Sequence, residues 1–206
     1  MRHRRRGRVL GRHPNHQRAL LRNLASALLL TERDAEDEDN APKIKGRIIT
    51  TIQKAKEVRP LVERCITIAR NALPQQEEAG RLAPDAERHS DQWRKWRESP
   101  QWREWSQAMA PVVAARRRAL RLLGNKQAVK ILFEDVAPRF ADRDGGYTRV
   151  LRLPKPRLGD AGTRAILELV GKNDRVRKKA IRPSFDADET TPDTASNDDA
   201  TAEPAE

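Results

Sequence analysis

The feature that most constrains this chain is the stretch Met1 to Thr31, where eight arginines (Arg2, Arg4, Arg5, Arg6, Arg8, Arg12, Arg18, Arg22) stand before the first acid, Glu32. Its first thirteen residues follow neither a helical nor a strand period, and Gly7, Gly11 and Pro14 punctuate them. A peptide of this kind cannot bury enough apolar surface to offset its ordering entropy, so it needs a polyanion to fold against. From Asn15 the pattern changes. Ala19, Leu20, Asn23, Leu24, Ala27 and Leu28 recur at helical spacing, with Arg18 and Arg22 one turn apart. A basic arm thus feeds into an amphipathic helix, and nucleic acid is the first partner the pattern implies.

The remaining composition narrows the fold. A length of 206 residues fits one domain plus appendages, and 35% charged against 4% aromatic residues leaves a small, mostly aliphatic core. The net charge of +12 hides a segregation: eight acids and no Lys or Arg follow Pro183, so residues 1–183 carry about +20. One cysteine, Cys65, excludes an intramolecular disulfide and a cysteine-rich zinc site, and its helical apolar position marks it as a core residue. No run approaches eighteen apolar residues, so no transmembrane span is expected. The Arg-rich start and Ala19–Leu30 have the look of a targeting signal, but Arg22 and Asn23 interrupt the apolar run and no small-residue cleavage site follows it.

Taken in order, residues 32–42 bring six acids and a proline and read as an exposed acidic loop. Arg47 to Ile52 is β-branched and short, a strand. Lys54 to Asn71 returns to helical period, with Ala55, Val58, Leu61, Val62, Cys65, Ile66 and Ala69 on one stripe and Pro60 expected to bend the first turns. Residues 73–111 carry all four tryptophans in a near-repeat, Gln92-Trp93-Arg94-Lys95-Trp96 and Gln101-Trp102-Arg103-Glu104-Trp105. Ser99-Pro100 between them fits an N-cap and a first helical residue, so two short helices with their indoles folded into a mini-core are expected. The alternative is that some indoles stack on RNA bases or seat against a neighbouring protein.

Val112 to Leu123 is a basic helix, and Gly124-Asn125 ends it and caps the next, Lys126 to Asp135. Turn chemistry at Asp144-Gly145-Gly146 precedes a strand from Tyr147 to Leu153, and a second turn at Gly159–Gly162 precedes a last strand from Thr163 to Val170 with Ala165, Leu167 and Leu169 on one face. The economical packing is an α+β fold of two layers, about three to four helices on one face of a small three-stranded mixed sheet. The other face, or the basic edge, is left for a partner. The domains follow: residues 1–14 are a basic arm and 15–171 a single domain carrying the acidic loop (32–44) and a helical Trp-rich segment (73–115) as insertions. Residues 172–206 form a basic, then acidic, disordered tail.

Enzyme signatures are missing from the sequence: no dinucleotide fingerprint, no phosphate-binding Gly-Lys-Ser/Thr loop, no nucleophile elbow. No catalytic residue, metal site, cofactor or small-molecule substrate is expected. His3, His13 and His16 could reach one metal, but without nearby acidic or cysteine ligands they read as arm residues for bases and phosphates. Asp160 reads as an Asx-type turn former and Glu168 as an arginine's partner. Arg139, Arg143, Arg149, Arg152, Arg157 and Arg164 gather around the two C-terminal strands and their turns, consistent with a basic sheet surface for phosphates.

Several blocks, in order and starting at the first residue, resemble one family. They are Met1-Arg2-His3-Arg4, Gly7-Arg8-x-Leu10-Gly11-Arg12, Arg22-Asn23-Leu24, Gly46-Arg47-Ile48-Ile49-Thr50-Thr51 and Lys54-Ala55-Lys56-Glu57, then Ala137-Pro138-Arg139, Gly145-Gly146-Tyr147-Thr148-Arg149-Val150, Gly159-Asp160-Ala161 and Glu168-Leu169-Val170. The chain is similar in these to the bacterial large-subunit ribosomal protein seventeen family, over roughly residues 1–31, 45–72 and 116–171. The acidic loop, the tryptophan segment and the long tail depart from the family pattern, as does Gln53 where the family often has proline.

The resemblance implies a cytoplasmic, ribosome-bound structural protein embedded in large-subunit rRNA on the side where the nascent chain leaves, with neighbouring ribosomal proteins as further partners. It also implies an uncleaved arm and no catalysis. The RNA contacts it implies are Arg2, His3, Arg4, Arg5, Arg6, Arg8, Arg12, His16 and Arg22 from the arm and first helix. A second set is Arg47, Thr50, Thr51, Lys54 and Lys56, and a third is Arg139, Arg143, Tyr147, Arg149, Arg152 and Arg157. The rivals are a free RNA- or DNA-binding regulatory or nucleoid protein, which would need a helix-turn-helix or dimer spacing, and an RNA-modifying enzyme, which would need a pocket of perturbed acids and bases.

Overall fold

A computed structural model describes residues 7–11, 13–34 and 40–171. Helix α1 (Pro14–Leu30) starts where the sequence changes period: His13 caps it through Nδ1, which accepts the Asn15 N–H at 3.1 Å, and Pro14 takes the first position, where no donor is needed. Strand β1 (Arg47–Thr51) runs straight into α2 (Ile52–Arg70). Helices α3 (Leu73–Arg81), α4 (Asp91–Glu98) and α5 (Pro100–Leu123) follow, then α6 (Lys126–Ile131), a π turn (Leu132–Val136) and the short α7 (Ala137–Arg139). Strands β2 (Thr148–Arg152) and β3 (Arg164–Leu169) complete the chain order.

The architecture is α+β, and the sheet corrects one expectation. Its order is β1-β3-β2 and both pairings are antiparallel, so it is not mixed. The loop between β2 and β3 folds them back as a hairpin, and β1 lies on the far side of β3. Strands β1 and β2 therefore run the same way but never touch. Ala165, Leu167 and Leu169 face inward and are buried, as their alternation predicts.

Helix α2 supplies the apolar stripe that covers this face. Ala55, Val58, Val62, Cys65, Ile66 and Ala69 are buried on it, joined by Leu28 and Leu29 of α1, Leu132, Phe133 and Val136 of the π turn, and the mutually tilted rings of Phe140 and Tyr147, 5.1 Å apart. Cys65 is part of this core, and burial pushes its thiol up to about 12. Pro60 sits inside α2 without ending it. The carbonyl it leaves unbonded lies on the exposed side at Lys56, where water can serve it.

Two boundaries fall where the caps predict. Gly124 adopts a left-handed φ of 74° at the end of α5, and Asn125 Oδ1 accepts the Ala128 N–H at 3.0 Å to start α6. Ser99 and Pro100 separate α4 from α5, but Ser99 Oγ donates to the Trp96 carbonyl at 2.6 Å, closing α4 instead of capping α5. Helix α5 begins at Pro100 rather than Val112, so the second tryptophan pair lies on its first turns. Trp96 and Trp105 meet edge to face at 5.6 Å across the break, while Trp93 packs against His89 and carries the Arg97 guanidinium 5.3 Å from its ring centre. All four indoles are only half-buried. One indole from each helix thus meets the other at the surface, in place of the four-indole mini-core expected.

Candidate nucleic-acid interface

The expected contacts Arg2, His3, Arg4, Arg5, Arg6 and Arg12, the centre of the acidic loop and the tail from residue 172 lie outside the described residues. The arm's root does not. Residues 7–11 lie against the helices. Glu57 of α2 accepts the Gly7 N–H at 2.9 Å, and Gln17 of α1 donates to the Arg8 carbonyl at 2.6 Å. His16 packs so closely on Gly11 that a Cβ there would collide with its ring.

The described arginines fall into two populations. Around the strands, carboxylates hold three of them. Arg139 forks onto Glu32 with both terminal nitrogens, at 2.9 and 2.8 Å, and this bond holds the Arg139 guanidinium above its ordinary pKa. Gly46 fits this latch because its φ is +73° and a Cβ would stand 2.8 Å from a Glu32 oxygen. Arg149 pairs with Glu168, and Arg157 with Asp160. Asp160 also accepts the Gly162 N–H at 3.2 Å, the Asx turn predicted for it, and the Arg157 bond lowers its pKa well below the ordinary carboxylate range. Arg143 gives its carbonyl to Arg70 at 2.6 Å and its Nε to the Gly145 carbonyl at 3.3 Å. Tyr147, expected as a contact, is 1% exposed and belongs to the core.

The second population has no carboxylate partner among the described residues. On α1 and the end of α5, Asn15, Arg18, Ala19, Arg22, Asn23, Leu123 and Gly124 line an open groove of about 410 Å³. Arg22 Nη2 donates to the Arg121 carbonyl at 2.9 Å and Ser26 Oγ to the Leu123 carbonyl at 3.1 Å, so α1 satisfies the last carbonyls of α5. The Arg22 charge also suits the negative end of that helix. Arg22 and Arg18 line this groove, and Arg121 is exposed on the last turn of α5 beside it. The sequence offered the one-turn spacing of Arg18 and Arg22 as the signal for this site, but only the fold brings the end of α5 beside it.

A smaller set lies at the sheet. Cross-strand register puts Arg47 and Arg149 on either side of Glu168, and Thr51 opposite Arg164, on the face turned away from α2. Ile49 and Leu151 flank Ile166 in the row between and are 53% and 43% exposed. Thr50 and Thr51 lead into the first turn of α2, which holds Lys54 and no acid, and Lys56 follows on its exposed side. Arg152 is exposed at the end of β2. Among the described residues no three His, Cys, Asp or Glu side chains gather to hold a metal, and no helix is long and apolar enough to cross a membrane.

A small antiparallel sheet under one long helix, with arginines on one flank that have no carboxylate partner among the described residues, makes this an α+β protein with a basic face. The family model described as Ribosomal protein L17 matches residues 20–170, and the chain belongs to that family. It is 62% identical over 203 residues to the large ribosomal subunit protein bL17 of Rhodopirellula baltica, covering 98% of this chain and 97% of that protein. It is 37% identical to the bL17 of Nitratidesulfovibrio vulgaris (82% of this chain, 86% of that protein) and 35% identical to that of Thermus thermophilus (82% and 99%).

Proposed function

We propose that the chain is a structural constituent of the bacterial large ribosomal subunit, binding and stabilising its rRNA near the exit side of the nascent chain, and that it acts in the cytoplasm without catalysis. The observation that carries this reading is the family match over residues 20–170 together with near full-length similarity to a bL17. The contacts divide by charge. The arm from Arg2 to Arg12 neutralises phosphates, the α1 groove with Arg18 and Arg22 continues that track, and Arg47, Thr50, Thr51, Lys54 and Lys56 form a second contact where β1 enters α2. Arg143 and Arg152 contribute from the third set, while Arg139, Arg149 and Arg157 shape loops and strands more than they grip RNA. The Trp-rich segment is a self-packed helical insertion, supported by the edge-to-face pair Trp96–Trp105.

Sedimentation through a sucrose gradient at physiological salt tests the proposal. The protein is expected with large subunits, and a free or nucleoid-bound pool would favour the regulatory reading and sink this one.

A further inference from the structure

The arm is the most basic part of the chain, yet a carboxylate stands at its root. Glu57 is the first acid after the acidic loop and is set among Lys54, Lys56 and Arg59 on α2. Next to RNA it costs affinity, because it repels the phosphates those residues attract. Its geometry points to what is gained instead. Oε1 accepts the Gly7 N–H at 2.9 Å, and Oε2 lies 3.9 Å from Arg8 Nε, with side-chain exposures of 14% for Glu57 and 19% for Arg8. Arg8 Nε is buried without a hydrogen-bond partner, so the pair is an ion pair and not a closed fork. Gln17 holds the next carbonyl, and Gly7 takes a φ of +67° that turns the chain at the point of attachment. Two helices thus hold two successive residues, and Val9, the residue after them, is 88% exposed.

We propose that Glu57 is a positioning residue for the arm: it docks Gly7 and Arg8 on α2 in the free protein and so fixes the arm's root before RNA arrives. Binding then begins from a partly ordered arm, and the ordering entropy of residues 7–8 is settled before RNA arrives. Glu57 trades attraction for a fixed root. It should therefore matter for choosing the correct RNA and not for holding RNA in general. This inference rests on the ribosomal reading for its RNA partner, but the docking itself does not.

The test uses the full chain and three variants. Glu57→Ala removes both bonds, Glu57→Gln keeps an acceptor for the Gly7 N–H but not the charge, and Arg8→Ala removes the ion pair alone. Trypsin cleavage after Arg8 in the free protein should speed up about tenfold in Glu57→Ala and less in Glu57→Gln, with the melting curve of the domain unchanged. Binding to a random RNA should be unchanged or slightly tighter. Preference for a large-subunit rRNA transcript over that random RNA should fall several-fold. Unaltered cleavage in Glu57→Ala overturns the docking, and faster cleavage with unaltered preference overturns the positioning role. Should Glu57→Ala fail to fold, Glu57→Gln carries the same comparison, since Arg8→Ala leaves trypsin no site at residue 8. If the unsubstituted chain shows no preference for rRNA, the ribosomal reading has failed, and that is visible before Glu57 is touched.

Discussion

The arginines of the stretch from α7 to β3 and those beside the α1 groove look alike in sequence and differ in what the fold does with them. Arg139, Arg149 and Arg157 each have a carboxylate in contact, whereas Arg18 and Arg121 have none among the described residues and Arg22 touches only a carbonyl. An arginine already neutralised releases little on meeting a phosphate, because it must first give up its partner. The comparison teaches that counting basic residues overstates an RNA footprint. Of the two sets compared, the charge without a carboxylate is the one on the α1 flank.

The largest effect should come from the arm. Deleting Met1 to Arg12 removes six arginines, and the salt dependence of RNA affinity should become shallower by roughly 4–5 in log–log slope. Subunit incorporation should also fail. An unchanged slope would show that the arm is solvated and idle. Next is Arg139→Ala, which strands Glu32, whose side chain is 9% exposed, beside Gly46. Chemical denaturation should report a loss of about 1–2 kcal/mol with little change in slope. A large slope change with no loss of stability would move Arg139 into the free population.

The tryptophan segment belongs with the neutralised regions, since Arg97 lies over Trp93 and Arg94 reaches Asp91 at 3.4 Å. Replacing Trp96 and Trp105 by alanine should make residues 90–106 protease-sensitive and leave RNA affinity within about twofold, because an aromatic pair contributes only ~1 kcal/mol beyond its area. Weaker RNA binding with an intact segment would make the indoles contacts. The smallest effect is at Asp160. Its depressed pKa means that its contribution is present above about pH 4 and lost as pH falls further, and because the group is fully exposed that contribution is slight. Asp160→Asn should leave the neutral-pH melting temperature nearly unchanged and flatten only the acid end of the pH profile.

What could be read from residues alone was local. The inward alternation of Ala165, Leu167 and Leu169 needs only a period of two, and Gly124-Asn125 carries its own cap chemistry. Sheet direction was not legible, because the side of β3 that β1 takes is decided by the packing of the helices between them. Nor were the ion pairs across the chain. Glu32 and Arg139 are 107 residues apart, and neither carries a sign of the other. Glu57 was visible as a lone acid in a basic stretch. Its contact with Gly7, 50 residues away, was not. Tyr147 lay in a turn-strand block that looked like surface, and its ring filled the space beside Phe140 instead.

One measurement bears most directly on the division of the arginines. Two triple variants, Arg18→Gln with Arg22→Gln and Arg121→Gln, and Arg139→Gln with Arg149→Gln and Arg157→Gln, remove the same charge from the two regions. Titration of each against a large-subunit rRNA transcript over a range of salt should lower the slope magnitude by roughly 2–3 for the first and by less than about 1 for the second. Equal changes in slope would contradict the account, since they would mean that carboxylate pairing does not decide which arginines meet RNA.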